Sequence, residues 1–217
     1  MPKRHGQLFD RCFTLDALYQ AYLDARRGKR KTPSVQDFER DLGANLAQIH
    51  AGLSAGIYQV SPYRRFIIHE PKRREISAPA FRDRVVQHAI YSVVYPIFDR
   101  GFIHDSYGCR IGKGTHRAAD QAQRFLRASP PDSYTLQIDV RRFYYRINRD
   151  ILRGLIERRI KDRRLVGLMM RFAAMDEPLG LPIGNLLSQL YGLIYLDPFD
   201  QFVKRELRAR RYVRYVD

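Results

Sequence analysis

The chain is 217 residues long, 45% of its residues are hydrophobic, and it contains 14 Tyr and 12 Phe, which excludes a disordered polymer and favours a globular fold. Its net charge of +16 favours a polyanionic partner, most commonly nucleic acid, because a surface that serves only solubility usually carries less charge. No apolar run approaches the ~18 residues of a membrane span, and the N-terminus lacks the apolar core of a signal peptide. Cys12 and Cys109 are isolated, so we expect free thiols in a reducing cytoplasm.

The first part of the chain predicts helices. Apolar residues at helical spacing indicate one helix within residues 1–30, which a basic run closes. Ser34 is the expected N-cap of a second helix that extends to about Gly52. The sequence contains no internal repeat and no Gly/Ser-rich linker, so we expect any subdomains to be packed together.

Residues 57–79 predict two paired strands joined by a turn at Pro71–Arg73. The turn region is cationic through Lys72, Arg73 and Arg74. A solvated sheet edge is the simpler interpretation of these charges. The alternative is a phosphate clamp, since lysine supplies charge and arginine supplies bidentate donors.

A helix is predicted from Asp83 to about Tyr95, where Pro96 should end it. The following stretch, residues 102–120, contains three glycines around Arg110 and Lys113 and leads into a helix near Thr115. Backbone N–H groups of such a loop can hold phosphates. Its glycine spacing matches neither a dinucleotide-binding fingerprint nor a P-loop, so both are rejected.

Residues 134–140 alternate apolar and polar side chains, which predicts a strand with one buried face and places Asp139 at its polar end. The residues 211–217, RYVRYVD, predict a second strand that also ends in an aspartate, Asp217. Taken alone, either aspartate is most simply a solvated strand terminus. Two strand-end carboxylates in so basic a chain suggest a site for metal ions and a polyanion.

Residues 141–171 carry 11 Arg and Lys against 3 Asp and Glu. Asn148 is the expected cap of the first of two helices within residues 149–174, and the basic residues interleave with an apolar stripe. This pattern is typical of a surface that follows a nucleic-acid backbone. The loop 179–189 then leads into a long helix, with Ser188 as the expected N-cap and a bend at Asp197–Pro198.

Five of these stretches, taken in order, resemble the motifs of bacterial reverse transcriptases. The resemblance spans residues 57–217 and rests on PKRREISAPAFRDRVVQHAI, DSYGCRIGKGTHRA, IDVRRFYYRI, LPIGNLLSQ and RYVRYVD. Within the family the chain is most similar to the diversity-generating retroelement type, because Ile183 stands where most relatives have Gln and Gln189 stands where most have Pro. The resemblance implies an α+β fold, the fingers and palm of a right-hand polymerase, in which helices back an antiparallel palm sheet. The implied regions are an N-terminal helical region at 1–56, fingers at 57–132 and an incomplete palm at 133–217.

The resemblance also implies the site. Asp139 and Asp217 would be catalytic and would bind two Mg²⁺ ions, or Mn²⁺, together with the Val140 carbonyl, and carboxylates this close raise each other's pKa without metal. Tyr144 matches the aromatic residue that excludes a ribose 2′-hydroxyl, although a core tyrosine is the simpler interpretation of its type alone. The residues implied in nucleotide binding are Lys72, Arg74, Val140, Phe143, Tyr144, Ile183, Gly184 and Gln189.

The expected function is RNA-directed DNA synthesis, copying a template RNA into cDNA, with an error-prone retroelement enzyme as the favoured type. The implied partners are a template RNA, an RNA–DNA duplex, dNTP and a small basic accessory protein, and no membrane. Because the family's second aspartate and thumb do not occur in these residues, we expect this chain alone to be inactive. A non-catalytic RNA-binding module and an antiviral-defence reverse transcriptase remain alternatives, whereas bulky Tyr144 speaks against an RNA-directed RNA polymerase.

Overall fold

The computed structural model describes residues 3–70 and 73–217 of the chain, and within these ranges it contains ten α-helices and one two-stranded sheet. This mixture of helix and antiparallel strand agrees with the predicted α+β class. The elements are α1 (Leu8–Cys12), α2 (Leu15–Ala25), α3 (Pro33–Arg40), α4 (Leu42–Ser54), β1 (Arg64–Ile68), β2 (Arg74–Ala78), α5 (Phe81–Asp99), α6 (Thr115–Arg127), α7 (Phe143–Arg146), α8 (Arg149–Glu157), α9 (Arg163–Ala173) and α10 (Leu186–Arg205).

The predicted second helix is divided into α3 and α4. Asp41 leaves the helical conformation between them, and its carboxylate accepts a hydrogen bond from Ala44 N–H at 3.4 Å, which starts α4. The prediction that Ser34 is an N-cap is wrong, because α3 begins one residue earlier at Pro33. Proline suits the first position of a helix, where no intrahelical N–H bond is needed.

Helix α5 continues through Pro96 to Asp99, so the prediction that Pro96 ends it is wrong. A proline removes one backbone hydrogen bond and costs about 3 kcal/mol inside a helix. Tyr95 and Phe98, on either side of Pro96, are buried in the core. Each buried aromatic side chain contributes about 1.5–3 kcal/mol, which offsets the cost of the proline.

Strands β1 and β2 form the predicted antiparallel hairpin, with Arg64 opposite Ala78 and Ile68 opposite Arg74. The predicted turn lies partly outside the described residues, and Lys72 falls there. Most hairpin side chains are exposed, but Ser77 is buried and its N–H donates to the carbonyl of Ile183 at 2.6 Å. The hairpin is therefore attached to the loop that precedes α10.

The other two predicted strands do not pair as expected. Residues 134–140 are exposed and form no ladder with any described residue, and Leu136 and Ile138 are 84% and 64% exposed. Residues 211–217 make one isolated parallel bridge, between Ser106 and Arg214. The predicted palm sheet is therefore not formed among the described residues, because alternation indicates which face a strand can bury but not whether a neighbouring strand is present.

A single hydrophobic cluster runs through the molecule. Helix α5 packs against α1, α2, α3, α4 and α10, and α10 also packs against α8 and α9. Leu18, Val86 and Leu190 belong to this cluster and come from the three regions implied by the sequence. Among the described residues, no helix combines the length and the apolar character that crossing a membrane requires.

Candidate functional site

Asp139 and Asp217 lie within electrostatic reach of each other. The pKa of Asp217 is raised above its usual value, first by partial burial and then by the negative charge of Asp139. Arg74, at the start of β2, and Arg214 act on the same carboxyl in the opposite direction. The fold therefore brings together two carboxylates and an arginine from three distant parts of the sequence.

The segment that carries Asp217 is fixed along the loop 105–108. Arg214 N–H donates to the Asp105 carbonyl at 2.9 Å, and Tyr107 N–H donates to the Arg214 carbonyl at 2.9 Å. Gly108 allows the close approach, because a Cβ atom there would lie 2.8 Å from Val216 Cα. Any larger residue at position 108 would force this contact to shift. The glycine therefore allows the last residues of the segment to lie where they do.

A buried ion pair holds the same segment from the other side. Asp200 of α10 is 0% exposed and Arg214 is 7% exposed. The guanidinium donates to both carboxylate oxygens of Asp200, from Nε at 2.8 Å and from Nη2 at 2.7 Å. The Tyr212 hydroxyl donates to the same carboxylate at 2.7 Å. This cluster leaves no signal in the sequence, since nothing in the spacing of Asp200 and Arg214 shows that they meet.

Several predicted nucleotide-binding residues line one small pocket beside the carboxylates. Phe143, Tyr144 and Gln189 contribute to its wall, together with Cys109 and Val216. Phe143 is buried in the core, whereas Gln189 is an exposed residue in the first turn of α10. The structure thus brings these three predicted residues together next to the end of the Asp217 segment.

Tyr144 packs against the core with part of its ring and extends toward α10. A Cβ atom on Gly192 would lie 3.1 Å from the Tyr144 hydroxyl oxygen, so the small residue makes room for the phenol. Burial raises the pKa of Tyr144, and the nearby Cys109 thiol and Asp217 carboxyl add to the rise. The hydroxyl therefore stays protonated and neutral beside the pocket.

The loop 179–189 joins the aromatic segment to the hairpin. Leu181 N–H donates to the Tyr144 carbonyl at 2.9 Å, while the Ile183 carbonyl accepts from β2. Gly184 has a φ of 104° and lies against Ile76, where a Cβ atom would come within 2.8 Å of the isoleucine methyl. Both the positive φ and this contact favour glycine at position 184.

Asn185, rather than Ser188, caps α10, so the prediction for Ser188 is wrong. The Asn185 side chain accepts from Leu187 N–H at 2.8 Å and donates to the Tyr63 hydroxyl at 2.8 Å and the Phe172 carbonyl at 3.0 Å. The Ser188 hydroxyl instead donates to the Pro182 carbonyl at 2.7 Å. The predicted cap of α8 is confirmed, because Asn148 accepts from Asp150 and Ile151 N–H.

The described residues contain no group of three or more His, Cys, Asp or Glu side chains that could hold a metal ion. The carboxylate donors predicted from the sequence are those of Asp139 and Asp217 alone. The Val140 carbonyl already accepts a hydrogen bond from Phe143 N–H at 3.2 Å, although a carbonyl oxygen retains a second lone pair. One or two carboxylates fit Mg²⁺, which keeps most of its waters and also uses substrate phosphates.

Basic side chains follow the carboxylate directly. Arg141, Arg142 and Arg146 are exposed, and none of them forms an ion pair within the part of the chain that the structure describes. Arg149 instead binds the Gly180 and Glu177 carbonyls, at 2.9 and 2.6 Å, and so supports the loop 179–189. The arginines next to Asp139 thus remain available to a polyanion.

Comparison with known proteins identifies relatives, although no family model matches the chain. Protein YkfC of Escherichia coli K12 is 29% identical over 75% of this chain and 46% of its own length. The group II intron-encoded protein LtrA of Lactococcus lactis is 27% identical over 87% of the chain and 33% of its own length. Nuclear intron maturase 4 of Arabidopsis thaliana is 26% identical over 94% of the chain and 27% of its own length. These similarities relate the chain to intron-encoded, reverse-transcriptase-related proteins, of which it spans less than half the length.

Proposed function

We propose that this chain forms the fingers and palm of an RNA-directed DNA polymerase that copies a template RNA. The observation that supports the proposal is the electrostatic effect of Asp139 and Arg74 on the carboxyl of Asp217. Phe143 and Tyr144, which partly line a small pocket, and a group of exposed arginines follow Asp139 in the sequence. The relatedness to group II intron-encoded proteins supports the same assignment.

Each residue has a chemical task in this proposal. Asp139 and Asp217 would hold Mg²⁺, and Arg74 would bind the triphosphate of the incoming nucleotide through charge-assisted hydrogen bonds. When bound, two Mg²⁺ ions would neutralise the charge that develops on the α-phosphate and would activate the primer 3′-hydroxyl. The Tyr144 ring would occupy the space of a ribose 2′-hydroxyl, and Ile183 and Gly184 would contact the nascent base pair.

The exposed arginines would bind the RNA backbone. Their guanidinium groups give bidentate contacts to phosphates without reading sequence. The favoured subtype is an error-prone retroelement enzyme, because Ile183 and Gln189 depart from the usual polymerase pattern. The names of the relatives favour an intron-encoded enzyme instead, and the fidelity measurement described in the Discussion separates the two.

RNA-templated primer extension by the full-length protein tests the catalytic proposal. We expect incorporation of dNTP that depends on Mg²⁺ and is lost in Asp139→Asn. The matched control is Asp132→Asn, an exposed aspartate in the turn before the same segment, which should extend primers normally. Extension by Asp139→Asn at the wild-type rate would contradict the catalytic role and leave the RNA-binding module as the function.

Binding of the present chain to RNA tests the polyanion interface separately. Counterion release predicts an affinity that falls steeply with salt, by roughly three- to fourfold per neutralised phosphate for a fourfold increase in salt concentration. The triple replacement of Arg141, Arg142 and Arg146 by Gln should weaken binding and reduce the salt slope. The control replaces Arg27 and Arg30, which lie between α2 and α3, and Arg40 at the end of α3 by Gln. Salt-independent binding, or equal loss in both variants, would contradict this assignment.

A further inference from the structure

We propose that the buried pair of Asp200 and Arg214 is a positioning device that holds Asp217 beside Asp139. The inference rests on the proposed metal centre and adds two residues to it. Neither residue is a ligand in this arrangement, because Asp200 is 0% exposed and Arg214 points its guanidinium into α10. They act on the site only through the backbone that Arg214 belongs to.

The pair is a poor source of stability in itself. Removing two charges from water costs several kcal/mol for each ion, and a buried pair is often no more stable than well-packed apolar residues of similar volume. The pair instead fixes the position of the Asp217 segment relative to α10. A carboxylate that accepts two parallel bonds from one guanidinium, together with the Tyr212 hydroxyl, fixes distance and orientation at once.

The third guanidinium nitrogen of Arg214 makes a hydrogen bond close to Asp217. Nη1 donates to the carbonyl of Val216, the residue directly before Asp217. Val216 has a φ of 67°, a left-handed conformation that is rare for a β-branched residue and needs support from its surroundings. The guanidinium thus connects the interior of α10 to the strained residue that determines the direction of Asp217.

The backbone contacts of the segment complete the arrangement. The Arg214 amide and carbonyl bind Asp105 and Tyr107 on one side, and the Arg214 side chain binds Asp200 on the other. Asp105 is itself held by Lys204 of α10 at 3.3 Å. Helix α10 therefore holds the segment directly, through the ion pair, and indirectly, through the loop 105–108. Loss of the pair removes only the direct contact.

The test separates positioning from stability by replacing the pair in two ways. Arg214→Met leaves Asp200 buried without its partner, while the double variant Asp200→Val with Arg214→Met replaces both charges by apolar groups. Melting temperature reports folding, and Mn²⁺ binding reports the site. The Mn²⁺ measurement is the concentration that half-broadens the amide signals of residues 139–142 and 214–217 in NMR spectra of this chain.

We expect the melting temperature of the double variant to lie closer to that of the wild type than the melting temperature of Arg214→Met does. The double variant should nevertheless need at least about tenfold more Mn²⁺ than the wild type for half-broadening. A loss of this size is usual when the support of metal ligands is removed. Tyr212→Phe keeps both buried charges and should need about two- to threefold more Mn²⁺, since one of three bonds to Asp200 is lost. The control Arg26→Lys disturbs the Arg26–Glu39 pair of α2 and α3 and should leave the Mn²⁺ titration unchanged.

Two results would overturn the inference in distinguishable ways. If the double variant binds Mn²⁺ as the wild type does, the pair serves folding alone and the metal centre stands. If the wild-type chain shows no Mn²⁺ broadening near Asp139, or Asp139→Asn does not reduce it, the metal centre itself fails and the positioning role fails with it. Should the double variant not fold, Tyr212→Phe decides the matter on the same titration.

Discussion

The helical core around α5 and the rim formed by residues 134–142 and 212–217 are built from different interactions. In the core, α5 buries apolar side chains against five other helices. In the rim, residues 134–140 are exposed and make no ladder, and the Asp217 segment depends on a few polar contacts. The fold is therefore stabilised mainly by apolar packing, and the candidate site mainly by a few polar contacts.

This separation matters for the proposed metal and phosphate site, because such a site needs solvent-accessible carboxylates and cations. Burial against apolar neighbours would raise the cost of ionising them. The rim therefore uses hydrogen bonds, a glycine contact and one buried ion pair, whereas the core supplies a rigid base. Mutations in the core should change stability, and mutations in the rim should change chemistry.

The largest expected effect comes from shortening matched isoleucines in the two regions. Ile90 of α5 is fully buried, and Ile138 lies in the exposed segment before Asp139. Ile90→Ala should lower the free energy of unfolding by about 2–4 kcal/mol, because it leaves a cavity in the core. Ile138→Ala should change it by less than about 0.5 kcal/mol. Urea unfolding of the two variants measures the difference, and equal losses would show that residues 134–140 pack against a partner in solution.

A second prediction concerns sugar selection by the proposed polymerase. Tyr144→Val removes the ring that would fill the space of a 2′-hydroxyl, so ribonucleotide incorporation should rise by about 50- to 100-fold, the discrimination typical of a pocket that excludes one hydroxyl. Deoxynucleotide use should survive. The neighbouring exposed Tyr145→Val is the matched control. If Tyr144→Val still rejects ribonucleotides in primer extension, Tyr144 serves packing alone.

The helices and the hairpin could be predicted from the sequence, since periodicity and capping residues are local signals. The division at Asp41 was not predicted although its signal is local, an exposed aspartate that caps α4. The continuation of α5 through Pro96 could not be predicted, because burial of the neighbouring aromatic residues decided it. Alternation over 134–140 predicted a strand with one buried face, which these exposed residues do not form. It gave no information on pairing, which depends on neighbours distant in sequence.

The candidate site shows the same limit. Strand-end positions suggested Asp139 and Asp217, and the resemblance to reverse transcriptases implied Arg74 and the aromatic pair. The electrostatic effect of Arg74 on Asp217 comes from the fold. Positions 108 and 192 favour glycine, because Val216 and Tyr144 lie close to where a Cβ atom on Gly108 and Gly192 would be. The pairing of Asp200 with Arg214 leaves no local pattern at all, since an aspartate in a helix and an arginine in a loop are ordinary surface residues in most sequences.

The third prediction addresses fidelity at Ile183. Its carbonyl binds Ser77 N–H through the main chain, so replacement of the side chain should leave the loop anchored to β2. A Gln side chain can hydrogen-bond near the nascent pair, and one polar contact is worth about 1–3 kcal/mol of discrimination. Ile183→Gln should therefore lower the error frequency of the full-length enzyme by about tenfold, most clearly opposite template adenine.

The measurement is the error frequency for each template base on one RNA. Leu179→Gln, an exposed residue of the same loop, is the matched control and should leave the error spectrum unchanged. Equal spectra for wild type and Ile183→Gln would remove Ile183 from fidelity control. That result would favour an enzyme of the intron-encoded type over an error-prone retroelement enzyme.

The smallest expected effect is a change in the titration of Asp217, which tests whether the two rim carboxylates meet in solution. Burial and the charge of Asp139 raise the pKa of Asp217 above its ordinary value of 3.8. Between these two pKa values the folded state binds more protons than the unfolded state, so stability falls as pH rises through this window. Asp139→Asn removes the repulsion and should lower the pKa of Asp217 and flatten this pH dependence. Carboxyl ¹³C NMR measures the shift, with exposed Asp16→Asn on α2 as the control. An unchanged pKa in Asp139→Asn would mean that the carboxylates lie too far apart to share a metal ion.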